Sequence, residues 1–464
     1  MNLMRGSPSE SILEVQILMK HAAPSGPILC GRRGTGACLW PGVRKNVIAA
    51  VLGFSILLSG LSRPAAGQAR AAPDGQLVLT GGTIYASPDE SPIPDGVLVI
   101  RDGKIVAVGR RGAVRIPNGV ATLDCSGLTI TAGFWNSHVH FFERKWADAA
   151  NIPEPELAGQ LQAMLTRYGF TSVFDLGSPW ENTRRLRERI ESGEVPGPRI
   201  HSTGEALIGK GWLPPDIVLR VLGVMLFPAP EVSDAAEALA ASKKLLDRGA
   251  DGLKLHAAAQ FPPFTPLPGE AIRAAADEAH RRNKPVFAHP TSREGLLAAV
   301  IGGVDIIAHT TPQSGPWDEA VLSAMRQAKV ALIPTLKIWK YVLRHDRANL
   351  SELSARTGTG QLRAWLASGG TVLFGTDVGG MDEYDPGDEY ALMAEAGMTF
   401  RQILASLTTA PAEKFGERGR LGRIAPGLVA DLVALSADPS RDVRAFAAVR
   451  YTIRDGKLIY RAAP

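Results

Sequence analysis

The chain has 464 residues, 45% hydrophobic and 21% charged, the composition of a globular protein with ample core material. Its net charge of +5 is modest, and no Lys/Arg run with interleaved aromatics occurs, so nucleic-acid binding is not expected. The length suits two or three domains, or one large α/β barrel with an accessory domain.

The first seventy or so residues differ from the rest. Arg44-Lys45 precedes an apolar run from Ile48 to Leu61, and small residues follow up to Ala69. That is a charged n-region, an h-region and a plausible cleavage point. The run is short for a membrane span. The expectation is a leader over 1–69 with a signal peptide at about 43–69; an uncleaved anchor is the alternative. The chain is then exported, periplasmic or secreted, with no stable membrane insertion after leader removal. Of its three cysteines, Cys30 and Cys38 precede the cleavage point. The mature chain keeps only Cys125, forms no internal disulfide, and should bury that thiol as a small hydrophobe.

Two matching segments lie near the ends of the remaining chain, Ile100-Arg-Asp-Gly-Lys-Ile105 and Ile453-Arg-Asp-Gly-Lys-Leu458. Asp-Gly between apolar runs signals a type I′ hairpin, whose central residues need positive φ. With strands expected at 76–80, 96–101 and 430–435, this predicts a small β-sandwich domain from both chain ends, residues 70–127 and 425–464.

Between them, short apolar runs alternate with helical stretches. The runs end near His140, Asp175, His201, Lys254, His289, His309, Thr335 and Asp377. Helices are expected at 156–168, 182–191, 234–248, 269–282, 293–301, 317–327 and 360–368. Eight strands alternating with helices predict a (β/α)8 TIM-like barrel over 128–424, with polar residues at the strand ends where such barrels place their chemistry. A doubly wound sheet would explain the alternation but not so many metal-capable strand ends.

His138-Val-His140 puts two imidazoles on one side of a strand, half of a metal site. His289 and His309 each follow three apolar strand residues, where a lone histidine could equally be a hydrogen-bonded structural residue. Asp377 can cap a helix or turn, or can bind a metal weakly and accept a proton from acidified water. Lys254 alternates with leucines and shares a side with His256. As an ammonium it is a poor ligand, and pairing with Asp175 is its structural alternative.

The order His-x-His, Lys, His, His, Asp on successive strands resembles the amidohydrolase superfamily of metal-dependent hydrolases. The resemblance runs from about residue 75 to the C-terminus. It includes Asp124-Cys-Ser-Gly-Leu-Thr-Ile-Thr-Ala-Gly133, Leu407-Thr-Thr-Ala-Pro-Ala-Glu413 and Gly422-Arg-Ile-Ala-Pro-Gly-Leu-Val-Ala-Asp431. In detail it is similar to imidazolonepropionase-like and prolidase-like members. The resemblance implies that His138, His140 and Asp377 bind a buried metal, and that His289 and His309 hold a second. Lys254, carboxylated, would bridge the two, and Asp377 would be the catalytic proton carrier. Such donors suit two divalent ions, zinc being the expected one. Trp135-Asn-Ser137 departs from the pattern of many relatives.

The expected activity is hydrolysis of a C–N amide bond in a small molecule, a dipeptide or N-acyl amino acid, by metal-activated hydroxide. Ester or lactone hydrolysis at the same binuclear site, and a non-catalytic binding protein on this fold, are the alternatives. Homo-oligomerisation is left open. His201, His256 and Tyr390 are candidate substrate contacts, and Lys210, Lys337 and Arg344 candidate carboxylate binders. Trp339 is a candidate apolar wall, the 207–230 segment with Trp212 a candidate lid, and His280 and His345 are expected at the surface.

Overall fold

The computed structural model describes residues 75–210, 228–257, 266–342 and 350–463. The leader with Cys30 and Cys38, most of the candidate lid including Trp212, and Arg344 and His345 lie outside these residues.

The strands begin with β1 (Gln76–Ile84), β2 (Ile93–Arg101), β3 (Lys104–Arg110), β4 (Ala121–Asp124) and β5 (Thr129–Ala132). The alternating region supplies β6 (Phe134–Val139), β7 (Phe170–Asp175), β8 (Arg199–Ser202), β9 (Ile208–Gly209) and β10 (Glu231–Val232). It continues with β11 (Leu253–Leu255), β12 (Val286–Ala288), β13 (Ile306–Ala308), β14 (Ala331–Ile333) and β15 (Thr371–Val372). Last come β16 (Leu432–Leu435), β17 (Val449–Arg454) and β18 (Lys457–Arg461).

Both chain ends build one eight-stranded sheet, ordered β18-β17-β16-β5-β1-β2-β3 with β4 beside β1. The two Asp-Gly hairpins are present: Asp102 and Gly103, and Asp455 and Gly456, all have positive φ, as type I′ turns require. Hydrogen bonding runs through all eight strands, for a local reason. At Gly81–Gly82, β1 has register irregularities and changes its parallel partner from β4 to β5. One strand thereby joins both halves, which share a buried cluster of Leu79, Leu98, Ile100, Ile130, Leu432 and Ile453. β5, expected at the start of the barrel, belongs to this sheet through β1 and β16. The break comes at Gly133, where a Cβ would lie 2.2 Å from Thr171 Oγ1.

The alternating region has parallel sheets with near-continuous apolar strands, as expected where both faces are covered. One has the order β6-β7-β8, another β11-β12-β13-β14-β15, and β9 pairs with β10 in a third. The chain beyond β15 bonds to β6: Ser137 N–H donates to Phe374 O (2.8 Å), Asp377 N–H to His138 O (2.9 Å) and His140 N–H to Val378 O (2.8 Å). Leu207, just before β9, bonds to β11 through Lys254 O and His256 N–H.

Helices follow most strands. Asp234, Ser292 and Asp318 cap three of them by accepting from the N–H groups of Glu237, Gly295 and Val321. Helix Gly269–Arg281 shows why such segments dock: Ala271, Ile272, Ala275, Ala276 and Ala279 form one buried stripe. The helix expected at 360–368 extends over Leu350–Ala367, and helices Gly387–Glu395, Phe400–Leu407 and Thr409–Lys414 add to those expected.

Candidate metal centre

His138, Asp377 and His140 converge at one end of β6. His138 Nε2 and His140 Nε2 are 3.2 Å apart, and Asp377 Oδ1 lies 3.3 Å from the first and 2.8 Å from the second. A tetrahedral ion with bonds near 2.0–2.1 Å sets its ligand atoms roughly 3.3 Å apart, so these donors are spaced as neighbouring ligands of one ion. They form a group of three whose donor atoms all lie within 4.8 Å of one another.

Backbone geometry holds them there. Asp377 has φ +62°, an uncommon conformation outside glycine. A Cβ at Gly375 would meet Ile333 Cγ2 at 2.4 Å, and one at Gly379 would meet His140 O at 2.2 Å; both glycines let the chain lie against its neighbours. Asn136 ties the two segments together. Its Nδ2 donates to Thr376 Oγ1 (2.7 Å), and its Oδ1 accepts from the N–H groups of Thr376 (3.1 Å) and His138 (3.3 Å).

Lys254, His289 and His309 come from three other strands, β11, β12 and β13. His309 Nε2 is 3.8 Å from Asp377 Oδ2. The His309 ring centroid lies 4.6 Å from that of His289 and 4.8 Å from that of His138. His309 Nδ1 is 2.6 Å from Thr335 Oγ1. Lys254 is 1% exposed, and its Nζ has no hydrogen-bond partner.

Burial pushes the Lys254 ammonium down to about 7 against the pull of Asp377. Burial, then nearby cationic groups, holds His138 and His309 well below the usual imidazole range. Burial followed by Lys254 takes His289 to about 3. These imidazoles are therefore neutral near pH 7, with lone pairs available to a cation. A cluster of imidazoles around one carboxylate, with an unsatisfied buried amine, fits a divalent metal centre.

The structural alternative for Lys254 does not hold. Asp175 accepts instead from the hydroxyls of Ser178, Ser202 and Thr183. His256 stacks on His289 with centroids 4.9 Å apart, so it borders the cluster. His201 does not: it stacks on Trp135 (5.3 Å), beside Phe174, because the preceding strand residues turn it into an aromatic core. Tyr390 is fully buried against Phe374 and Phe446, out of reach of a substrate. Lys337 donates its Nζ to the carbonyls of Glu383 and Asp385, so its head group is engaged. Lys210 is exposed. His280 pairs with Asp305 at the surface, and Cys125 is buried.

Three contributors were absent from the sequence-based expectations. Phe142 stacks on His140, centroids 4.4 Å apart. Asn136 was visible only as a departure from a pattern, and Thr335 only as one more polar strand end.

The Amidohydrolase family model matches residues 129–459. Ochratoxinase from Aspergillus niger is 26% identical over 374 residues, covering 70% of this chain and 74% of that protein. Among solved structures, a putative prolidase from Bifidobacterium longum superposes with a TM-score of 0.71 at 25% identity, covering 84% of this chain and 96% of the other. A prolidase complexed with N-methylphosphonate-L-proline gives a TM-score of 0.68 at 28% identity, covering 83% and 100%.

Proposed function

Because the chain belongs to the amidohydrolase family, we propose that it hydrolyses the amide bond of a dipeptide or N-acyl amino acid at a binuclear metal centre. It is a hydrolase acting on carbon–nitrogen bonds. The observation that carries the finer reading is the triangle of His138 Nε2, His140 Nε2 and Asp377 Oδ1, set beside the unpartnered amine of Lys254.

His138, His140 and Asp377 would hold an inner ion, and His289 and His309 an outer one, with Lys254 as a carbamate supplying an anionic oxygen donor. A buried amine with its proton affinity lowered to about 7 is in part neutral at physiological pH. Its lone pair can add to carbon dioxide with loss of one proton, which turns a poor ligand into an anionic oxygen donor. Imidazole, carboxylate and carbamate together suit zinc. When bound, the ions polarise the scissile carbonyl and acidify water. Asp377 then has two tasks for its two oxygens. Oδ1 faces the paired imidazoles, while Oδ2 accepts the proton of the attacking water and passes it to the departing amine nitrogen. Phe142 and Trp339, flanking His140 and His309, offer an apolar wall to the substrate.

The same reading takes these parallel sheets as parts of one (β/α)8 barrel, with the sheet from both chain ends as its accessory domain. It also takes residues 1–69 as a leader for export, on the strength of Arg44-Lys45 and the apolar run after it. No described helix is long and apolar enough to cross a membrane.

The test is metal analysis of the protein followed by a screen of the zinc-loaded form against dipeptides, N-acyl amino acids and lactones. Two ions per chain with turnover of amides is the expected result. Turnover of lactones alone would move the activity to ester-type bonds, and one ion in the fully active enzyme would remove the binuclear arrangement.

A further inference from the structure

Among the imidazoles of the proposed metal centre, His138 and His140 have Nδ1 atoms with no hydrogen-bond partner, whereas His309 Nδ1 meets Thr335 Oγ1 at 2.6 Å. Thr335 makes this contact from an unusual position. It is fully buried and has φ +43°, a conformation that β-branched residues almost never adopt without a compensating constraint.

That constraint is on the next two residues. Glu389, from helix Gly387–Glu395, accepts the Leu336 N–H with Oε1 (2.9 Å) and the Lys337 N–H with Oε2 (2.7 Å). It is 0% exposed, so its carboxylate has no competing water at the surface. The buried acid grips the chain immediately after Thr335 and prevents the turn from relaxing.

We infer that Thr335 and Glu389 are positioning residues for the outer half of the metal centre: Thr335 Oγ1 fixes the tautomer and tilt of His309, and Glu389 fixes Thr335. The inference rests on the proposed function, since it concerns how His309 is presented to an ion. With Thr335 Oγ1 accepting from Nδ1–H, His309 Nε2 keeps its lone pair and is aimed at the space beside Asp377. An outer hydrogen bond of this kind orients a ligand histidine and raises its basicity. Strain in this turn has a role if it places one oxygen atom.

The experiment compares zinc affinity, by chelator competition, and the absorption spectrum of the cobalt(II)-loaded protein for wild type, Thr335→Val, Thr335→Ser, Glu389→Gln and His309→Ala. Thr335→Val keeps the shape and the branch but loses the hydroxyl. It should weaken one of the two ions by about 10–100-fold and shift the cobalt spectrum, while Thr335→Ser restores both. Glu389→Gln, which keeps one acceptor of two, should shift the spectrum in the same direction by less. Melting of the metal-free proteins checks folding, and Thr335→Ala replaces Thr335→Val if the latter does not fold. If His309→Ala loses an ion while the hydroxyl-deleted variant binds both as tightly as wild type, the inference is overturned and the proposed function stands. If His309→Ala also keeps both ions, His309 is no ligand and both readings fall. An unchanged cobalt spectrum in Glu389→Gln overturns the part assigned to Glu389.

Discussion

The two halves of the candidate metal centre are built by different means. The inner half is a product of backbone pairing: His138, His140 and Asp377 lie on two segments tied by main-chain hydrogen bonds and by Asn136. Its donor atoms are spaced as neighbouring ligands of one ion. The outer half draws Lys254, His289 and His309 from β11 and the ends of β12 and β13, and His309 Nε2 stands 3.8 Å from the Asp377 carboxylate, farther than either inner imidazole. Two histidines two residues apart on a strand converge by geometry alone. Residues on separate strands converge only as well as the contacts behind them allow.

The largest effect is expected at the carboxylate of the inner half, which also carries the proton. Asp377→Asn keeps the shape but cannot carry the proton, and kcat/KM on the amide identified by the screen should fall about 10²–10⁴-fold. Lys254→Ala separates the halves. Metal content should drop from two ions to one, with activity lost and partly restored by added short carboxylates that replace the carbamate; full activity with unchanged metal content would remove Lys254 from the centre.

A smaller effect tests the support of the outer half through pH. Burial pushes the Glu389 carboxyl up to about 7, above the value of about 4.3 in an unfolded chain. The folded state thus favours the protonated acid. Its contribution to stability is complete below the unfolded value and is lost as pH rises through about 7. Between those limits wild type should lose on the order of 3 kcal/mol relative to Glu389→Gln, measured by denaturant titration at several pH values. A pH-independent difference would show that Glu389 is not the titrating group.

The least disruptive test is on the inner side. Asn136→Ala leaves the buried Thr376 N–H without its acceptor and should cost on the order of 1–3 kcal/mol in the metal-free protein. Zinc affinity should fall as well, because the seam that spaces the inner donors is loosened. An unchanged affinity would mean that the main-chain bonds suffice.

The same contrast explains what could be read from residues alone. The strand ends at His140, Lys254, His289 and His309 were legible because each follows a short apolar run, and a run of that kind has few other uses. Both Asp-Gly hairpins were legible because two residues determine the turn. β5 was misplaced because its composition suits either domain, and only its pairing with β1 and β16 decides between them. His201 and Tyr390 occupy the right kind of position but point into aromatic packing, a property of their neighbours rather than of themselves. The link from Glu389 to the chain after Thr335 joins residues far apart in sequence, and no local pattern announces it.

The pairing of Ile130 with Ala434 in β5 and β16 has a consequence for how the chain is made. During synthesis β5 can pair with β1 at once, yet its other edge must wait for the whole alternating region before β16 exists. Long waits of this kind slow folding and leave strand edges open. A chain released without β16–β18 should therefore bind a hydrophobic dye and aggregate, although every residue of the proposed metal centre is still in it. Completion of this sheet therefore waits for β16 and the strands after it.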